Sequence, residues 1–161
     1  MLEKILIKNL MYELKKKDIN NLQEAASFLN VNYNTFRGWI SLNRTISLRK
    51  LDDLCDIMEI PTYYLFVNEA ISHGYDDVKR YLPNNSRKVF IDNLDYIFEK
   101  RGKHTWDQRE SLFYGMVSKD TLMAYRRTSK NSRYPKISTI ESISSYLGIP
   151  ASELLKKRRQ I

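Results

Sequence analysis

The basic residues of the second half are the side chains whose type and spacing best suit a chemical task. Up to residue 72 the chain carries 9 Lys and Arg against 9 Asp and Glu, and beyond it 18 against 10, so the whole net charge of +8 arises in the second part. Clustered cations neutralise nucleic-acid phosphates, and counterion release then supplies much of the affinity. A solvated basic face would carry the same charge. Six cations surround one predicted helix: Lys119, Arg126, Arg127, Lys130, Arg133 and Lys136.

No set of residues indicates catalysis or a cofactor. The two histidines, His73 and His104, have no Cys or carboxylate partners at metal-ligand spacing. The five glycines form neither a phosphate-cradling loop nor a dinucleotide fingerprint. Acidic pairs such as Asp52-Asp53 are typical of solvated helix faces. We therefore expect a protein that is not an enzyme and that uses no metal and no cofactor.

An internal repeat defines the elements that position the cations. The segment from Val31 to Trp39 recurs from Val117 to Tyr125, and the offset between matched residues grows along the chain from 84 to 86 to 89. Such small insertions are typical of polar turns, so the pattern indicates a tandem duplication of a unit large enough to bury a helical core. The matched positions upstream are Ile7, Asn9, Leu10, Tyr12 and Leu14 against Ile91, Asn93, Leu94, Tyr96 and Phe98. Those downstream are Leu48, Leu51, Leu54, Met58, Ile60, Pro61 and Leu65 against Ile137, Ile140, Ile143, Leu147, Ile149, Pro150 and Leu154.

Apolar residues three and four positions apart predict helices through most of the chain, and the fold class is all-α. The first copy is predicted to form helices over 2–17, 22–29, 33–40, 48–58 and 62–68, and the second over 87–101, 106–114, 119–127, 138–147 and 151–158. Helix starts are marked by Asn21, Asn32, Ser47, Ser86, Thr105 and Ser118. The predicted organisation is a domain over 1–68, a linker over 69–85 with a short candidate helix, and a second domain over 86–161.

Composition also bears on location. No apolar run reaches the roughly 18 residues of a membrane span, and the amino terminus lacks the features of a signal peptide. A single cysteine, Cys55, rules out an internal disulfide, and its spacing from Leu51 and Met58 predicts a core thiol. We expect a cytoplasmic, nucleoid-associated protein with no membrane partner.

The first copy resembles a known family. Five helices with Ala26, Asn30, Phe36 and Trp39 at these spacings resemble the helix-turn-helix of phage repressors and Cro, the XRE-type family. The resemblance implies two tandem five-helix, lambda-repressor-like domains. It places the small Ala26 where two helices cross, Asn30 at a left-handed turn position, and two aromatic side chains in the core.

The resemblance also implies a DNA role for the third helix, whose first residues enter the major groove while the preceding helix crosses the backbone. The base-edge candidates are Tyr33, Asn34 and Arg37, whereas Gly38 offers no side chain. Asn34 would bind adenine, Arg37 would bind guanine, and Tyr33 would contact a thymine methyl group or a phosphate. The phosphate candidates are Thr35, Asn43, Arg44 and Thr45.

The second copy departs from this pattern. Ser111 and Gly115 reproduce the small residue and the turn glycine, but the later core positions come one residue late, so we expect one extra residue, Met116, in the turn. The base-edge candidates are Lys119, Asp120 and Met123. The carboxylate of Asp120 could accept from cytosine or simply stabilise the helix start. The phosphate candidates are Thr121, Arg126, Arg127, Lys130, Arg133 and Lys136, most of them in a long basic loop.

We expect a transcriptional regulator, a repressor, that binds double-stranded DNA and reads a bipartite or pseudo-palindromic operator with two helix-turn-helix units. Two alternatives stay open. The aromatic run from Tyr63 to Phe66 and the neutral first half favour a protein-interaction adaptor, and the basic second half would suffice for a non-operator DNA-binding accessory factor of a phage or plasmid. The sequence does not decide whether the chain forms a homodimer or binds another protein.

Overall fold

The chain folds into helices. The computed structural model describes residues 2–68, 83–127 and 133–158, and all regular elements in these ranges are helical, as expected. Within them no helix is both long enough and apolar enough to cross a membrane. The chain divides into two compact units, Met1–Asn84 and Asn85–Ile161. The first contains α1 (Leu2–Lys16), α2 (Leu22–Phe28), α3 (Tyr33–Ile40), α4 (Leu48–Met58) and a 3₁₀ helix (Thr62–Phe66); the second contains α5 (Ser86–Lys100), α6 (Trp106–Leu112), α7 (Lys119–Ala124), α8 (Ile137–Leu147) and α9 (Ala151–Leu154).

Side-chain caps set the helix starts. The Thr105 hydroxyl accepts from the Gln108 amide, and the Gln108 side chain accepts from the Thr105 amide, which confirms a capping box at α6. The cap of α5 is Asn85 rather than the predicted Ser86, which is the first helical residue. The other predicted caps also accept a backbone N–H of the first turn: Asn21, Asn32, Ser47 and Ser118.

The boundary between the units falls at the end of the predicted linker. The backbone and side-chain amides of Asn84 donate to Asp56 Oδ1 at 2.7 and 2.8 Å, and Asn84 Oδ1 accepts from the Thr62 amide at 3.0 Å. Asn84 is therefore bound to the first unit, whereas Asn85 caps α5 by accepting from the Lys88 amide. Residues 69–82, with the predicted short helix, lie outside the described residues.

In each unit, a buried asparagine of the first helix binds carbonyls at the end of the last helix. Asn9 of α1 donates through Nδ2 to the carbonyls of Leu65 and Val67 at 2.8 and 2.9 Å. Asn93 of α5 donates to the carbonyls of Leu154 and Lys156 at 2.7 and 3.0 Å, and these are the matched positions of the repeat. Carbonyls at a helix end need a partner when they are buried. The same amide supplies that partner in both units.

The final helices are shorter than predicted. The segment predicted as a helix over 62–68 is a 3₁₀ helix that ends at Phe66, and α9 ends at Leu154 instead of residue 158. In both units the chain leaves the helix near the carbonyls that the buried amide binds. Hydrophobic periodicity carries no information about such a distant partner.

The cores follow the predicted pattern. Phe36 and Trp39 are buried in the first unit and meet edge to face at 6.4 Å between ring centroids. Cys55 is fully buried as predicted, and burial raises the pKa of its thiol. Most of the aromatic run is also internal, since Tyr64, Leu65 and Phe66 are buried and Tyr63 is half-buried. The buried rings of Tyr64 and Phe66 are not available to a partner.

The turn between the two short helices differs between units. In the first unit it spans residues 29–32, with Asn30 in the predicted left-handed conformation at φ 55°. In the second it spans residues 113–118, with Tyr114 and Gly115 both left-handed at φ 49° and 77°. Because α6 keeps the offset of 84 from α2 and α7 has the offset of 86 from α3, two residues are inserted in this turn. The prediction of one extra residue was wrong.

The small residue of the second unit was also assigned wrongly. Ser111 is exposed, and its hydroxyl donates to the Gln108 carbonyl. At the offset of 84, the position of the buried Ala26 is occupied by Glu110. The prediction matched Ser111 with Ala26 because both side chains are small. In the structure the helix caps Asn21 and Thr105 correspond, and they are 84 residues apart.

We predict that Asn9→Ala lowers the free energy of unfolding of the first unit by about 2 to 4 kcal/mol, because two buried carbonyls lose their donor. Amide hydrogen exchange in α1 and α4 measures that loss by unit. The exposed Asn20 offers a matched control. Asn20→Ala should change the free energy of unfolding measured by exchange by less than about 0.5 kcal/mol. Equal effects of the two substitutions would contradict the capping role.

Candidate nucleic-acid interface

One face of α3 is exposed and polar. Phe36 and Trp39 occupy the buried side of this helix, while Tyr33, Asn34 and Arg37 are exposed. Residues four apart lie on the same side of a helix, so the three exposed side chains form one surface. The structure thus brings together the base-edge candidates of the first unit.

The Arg37 guanidinium lies beside an aromatic ring. Its central carbon is 5.7 Å from the centroid of the Tyr33 ring, within the range of a cation–π contact. In the part of the chain that the structure describes, Arg37 forms no ion pair with a carboxylate. Tyr33 therefore orients the guanidinium without neutralising it.

Asn32 fixes the start of α3. Its Oδ1 accepts from the amides of Asn34 and Thr35 at 2.9 and 3.4 Å. The cap satisfies two of the four amides that a helix start leaves without partners. The Asn34 side chain is exposed in this first turn of α3.

The loop after α3 packs on Gly38. The Gly38 carbonyl accepts from the amides of Asn43 and Arg44 at 2.9 and 3.0 Å. A Cβ atom at Gly38 would lie 2.8 Å from Cδ and 2.9 Å from Cγ of Arg44, closer than real contacts allow. Glycine is therefore required for the present position of the Arg44 side chain.

This packing brings two phosphate candidates together. Arg44 Nη1 donates to Thr35 Oγ1 at 3.2 Å, so the guanidinium lies along the first half of α3. Asn43 and Thr45 are exposed in the same loop. A guanidinium with most of its donors exposed beside a hydroxyl group is suited to bind a phosphate.

The start of α7 in the second unit is different. Lys119 Nζ lies 2.8 Å from Asp107 Oδ1, and the Lys119 amide donates to the Glu110 carboxylate. The hydrogen bond that the Lys119 ammonium donates to the Asp107 carboxylate raises the pKa of Lys119. Asp120 and Met123 are exposed on this helix. The three base-edge candidates are thus near one another, but the Lys119 ammonium is already paired with Asp107.

Arg126 is also bound within the second unit. It forms an ion pair with Asp95, and its guanidinium lies 5.0 Å from the centroid of the Trp106 ring. Burial lowers the pKa of Arg126. Arg109 lies 4.7 Å from the same ring, so two guanidinium groups contact Trp106. A phosphate would have to compete with Asp95 for Arg126.

Sequence reasoning missed Arg87. Its Nη1 donates to the carbonyls of Tyr125 and Arg127 at 2.7 and 2.8 Å, and its guanidinium lies 5.6 Å from the Tyr134 ring. Arg87 therefore holds the chain where it leaves α7. Backbone carbonyls 38 and 40 residues away give no signal in a local pattern.

The remaining predicted cations of the second unit are exposed: Arg127, Arg133 and Lys136. Lys130 lies outside the described residues. Thr121 is half-buried, and its hydroxyl accepts from that of Ser118 at 2.9 Å. In the basic tail, Arg158 donates to Asn93 Oδ1 at 3.2 Å and lies 3.5 Å from the centroid of the Tyr96 ring. Arg158 thus has a structural role.

The inserted turn creates a surface that the sequence did not indicate. Tyr114 is 84% exposed and meets Tyr146 edge to face at 5.7 Å between centroids. Met116 is exposed next to Tyr146 along a shallow groove on α8.

In the described ranges, no group of three or more His, Cys, Asp or Glu side chains could hold a metal ion.

We predict that Asn32→Ala lowers the free energy of unfolding by about 0.5 to 2 kcal/mol, because α3 loses its cap. Asn34→Ala, two residues further on, should change it by less than about 0.5 kcal/mol, because the Asn34 side chain is exposed. Amide hydrogen exchange in the first unit compares the two variants. A larger loss for Asn34→Ala would contradict the assignment of the cap.

Comparison of the chain with models of known protein families, with curated proteins and with solved structures finds no match.

Proposed function

We propose that this chain binds double-stranded DNA sequence-specifically through α3 and acts as a transcriptional regulator, a repressor, rather than as an enzyme. The observation that carries the proposal is the exposed face of α3, where an amide, a phenol and an unneutralised guanidinium lie beside the Arg44–Thr35 pair. Amide and guanidinium groups at the start of a helix are the side chains that read base edges in the major groove.

The backbone around α3 supports the same function. Two short helices, α2 and α3, are joined by a four-residue turn with Asn30 in the left-handed conformation, and Ala26 is buried on α2. These features fit the helix-turn-helix that the sequence resembles. In that arrangement α3 enters the major groove and α2 crosses the phosphate backbone.

Each exposed side chain then has a distinct task. Arg37 is suited to bind O6 and N7 of guanine in bidentate fashion, and Asn34 is suited to bind N6 and N7 of adenine. The Tyr33 ring supports Arg37 and presents an edge to a thymine methyl group. Arg44 and Thr35 bind the adjacent phosphate, which fixes the position of α3 on the duplex.

A protein-interaction adaptor is the second candidate function, and the exposed Tyr114, Met116 and Tyr146 favour it. The aromatic run of the first unit gives this function little support, because its Tyr64 and Phe66 rings are buried. An accessory factor without an operator would bind DNA but select no sequence. Selection from a random duplex pool at about 0.15 M salt distinguishes these functions, since only an operator-binding protein enriches a motif.

We predict that Arg37→Ala reduces discrimination at one base pair by about 1 to 3 kcal/mol while binding to unrelated DNA changes little. Competition between the selected duplex and single-base variants measures this change. Lys17→Ala removes one exposed positive charge from the same unit and is the matched control. An unchanged base preference in Arg37→Ala would remove Arg37 from the reading face.

We also predict that Gly38→Ala reduces the salt dependence of DNA binding by about one phosphate contact, because the added methyl group displaces Arg44. The fold should tolerate the change, since alanine is about 1 kcal/mol better than glycine within a helix. Binding titrations at several salt concentrations compare Gly38→Ala, Arg44→Ala and the double variant. Full additivity of the two losses would contradict a shared contact, because substitutions that remove the same interaction are not additive.

A further inference from the structure

The two ends of α7 carry opposite charge. At its start lie three carboxylates, Asp107, Glu110 and Asp120; Asp107 pairs with the Lys119 ammonium, whereas Glu110 accepts from the Lys119 backbone amide. At its end lie Arg127 and Arg133, and Lys136 follows three residues later as the residue that precedes α8; all three are exposed. A helix that reads base edges must present its start to the groove. In α7 that start is anionic.

The corresponding positions of the first unit are neutral. The residues that match the three carboxylates at offsets of 84 and 86 are Gln23, Ala26 and Asn34. Within its described residues, the first turn of α3 has no acidic residue. The charge at the start of the helix therefore distinguishes two units whose capping and core follow the same plan. Carboxylates that face a phosphate-lined groove oppose binding through like-charge repulsion.

The structure also fixes the cations at the end of α7. The amides of Arg127 and Arg133 both donate to the Ala124 carbonyl at 3.3 Å, so the two arginines lie next to each other although they are six residues apart. Arg87 Nη1 donates to the Arg127 carbonyl. Two exposed guanidinium groups on adjacent, anchored backbone segments are suited to bind phosphates.

We propose that the second unit binds the phosphate backbone of duplex DNA, independently of sequence, through Arg127, Arg133 and Lys136 at the carboxyl end of α7. The start of α7 makes no base contacts, so α3 is the reading helix of the chain. This inference rests on the proposed DNA-binding function and assigns different tasks to the two units. Of the predicted residues of the second unit, Lys119, Asp120 and Met123 are thereby removed from the reading face.

The test uses the full chain and two variants with equal loss of charge. The triple substitution Arg127→Ala, Arg133→Ala and Lys136→Ala removes the proposed phosphate face, and Lys4→Ala, Lys8→Ala and Lys15→Ala removes three exposed cations of α1. Duplex selection gives the sequence motif that each protein prefers. Titrations of one duplex at several salt concentrations give the salt slope, which is the change of the logarithm of the binding constant with the logarithm of the salt concentration. Circular dichroism checks that both variants keep their helix content.

We expect the first triple variant to select the same motif as the unaltered chain and to lose up to about 2.7 from the salt slope, about 0.9 for each phosphate. The α1 variant should keep a larger slope, and Lys119→Ala should leave motif and slope unchanged. The inference is overturned if the two triple variants have the same slope, or if Lys119→Ala or Met123→Ala removes a second half of the motif.

Failure of the proposed function gives a different result. If the unaltered chain selects no motif but the first triple variant still lowers the slope, α3 does not read sequence, whereas the phosphate face is supported. If the unaltered chain does not bind duplex DNA, both proposals fall.

Discussion

Each unit depends on one buried side-chain amide that joins its first helix to its last. The amide satisfies carbonyls where the final helix ends, and in each unit one of these hydrogen bonds is fully buried. The last helix is thereby fixed against the first, and the two short helices between them pack on the remaining core. The orientation of the exposed face of α3 follows from that packing, because Phe36 and Trp39 occupy its other side.

The two units share the same order of helices but differ in their surfaces. Matched caps and matched buried amides show that backbone positions correspond between the units, yet the turn before α7 has two more residues than the turn before α3. The longer turn exposes Tyr114, and the acidic residues of α6 bind the start of α7. Surface residues contribute little to stability and can therefore differ while the core is retained. On this view, one unit suits base reading and the other suits contact with phosphates.

The position of Arg44 shows how closely the fold and the candidate site are connected. Its guanidinium reaches Thr35 because a glycine in α3 lets the following loop approach the helix. A local feature of the backbone thus places a charged group beside the proposed reading face. Similar support at the end of α7 comes from Arg87, whose partners are backbone carbonyls.

Sequence by itself determined most of the helices, most of their caps and the buried faces, because these depend on neighbours within one or two turns. It predicted Asn32 as a cap, Asn30 as a left-handed turn residue and Cys55 as a core thiol, all of which the structure confirms. Tertiary structure alone decided which cations are bound internally. Arg126 and Arg127 are adjacent and alike in sequence, but one is held by Asp95 and Trp106 while the other is exposed. The ends of the final helices and the residue that corresponds to Ala26 were also decided by the tertiary structure. A charged group or a carbonyl binds whichever partner the packed chain brings to it, and local spacing does not specify that partner.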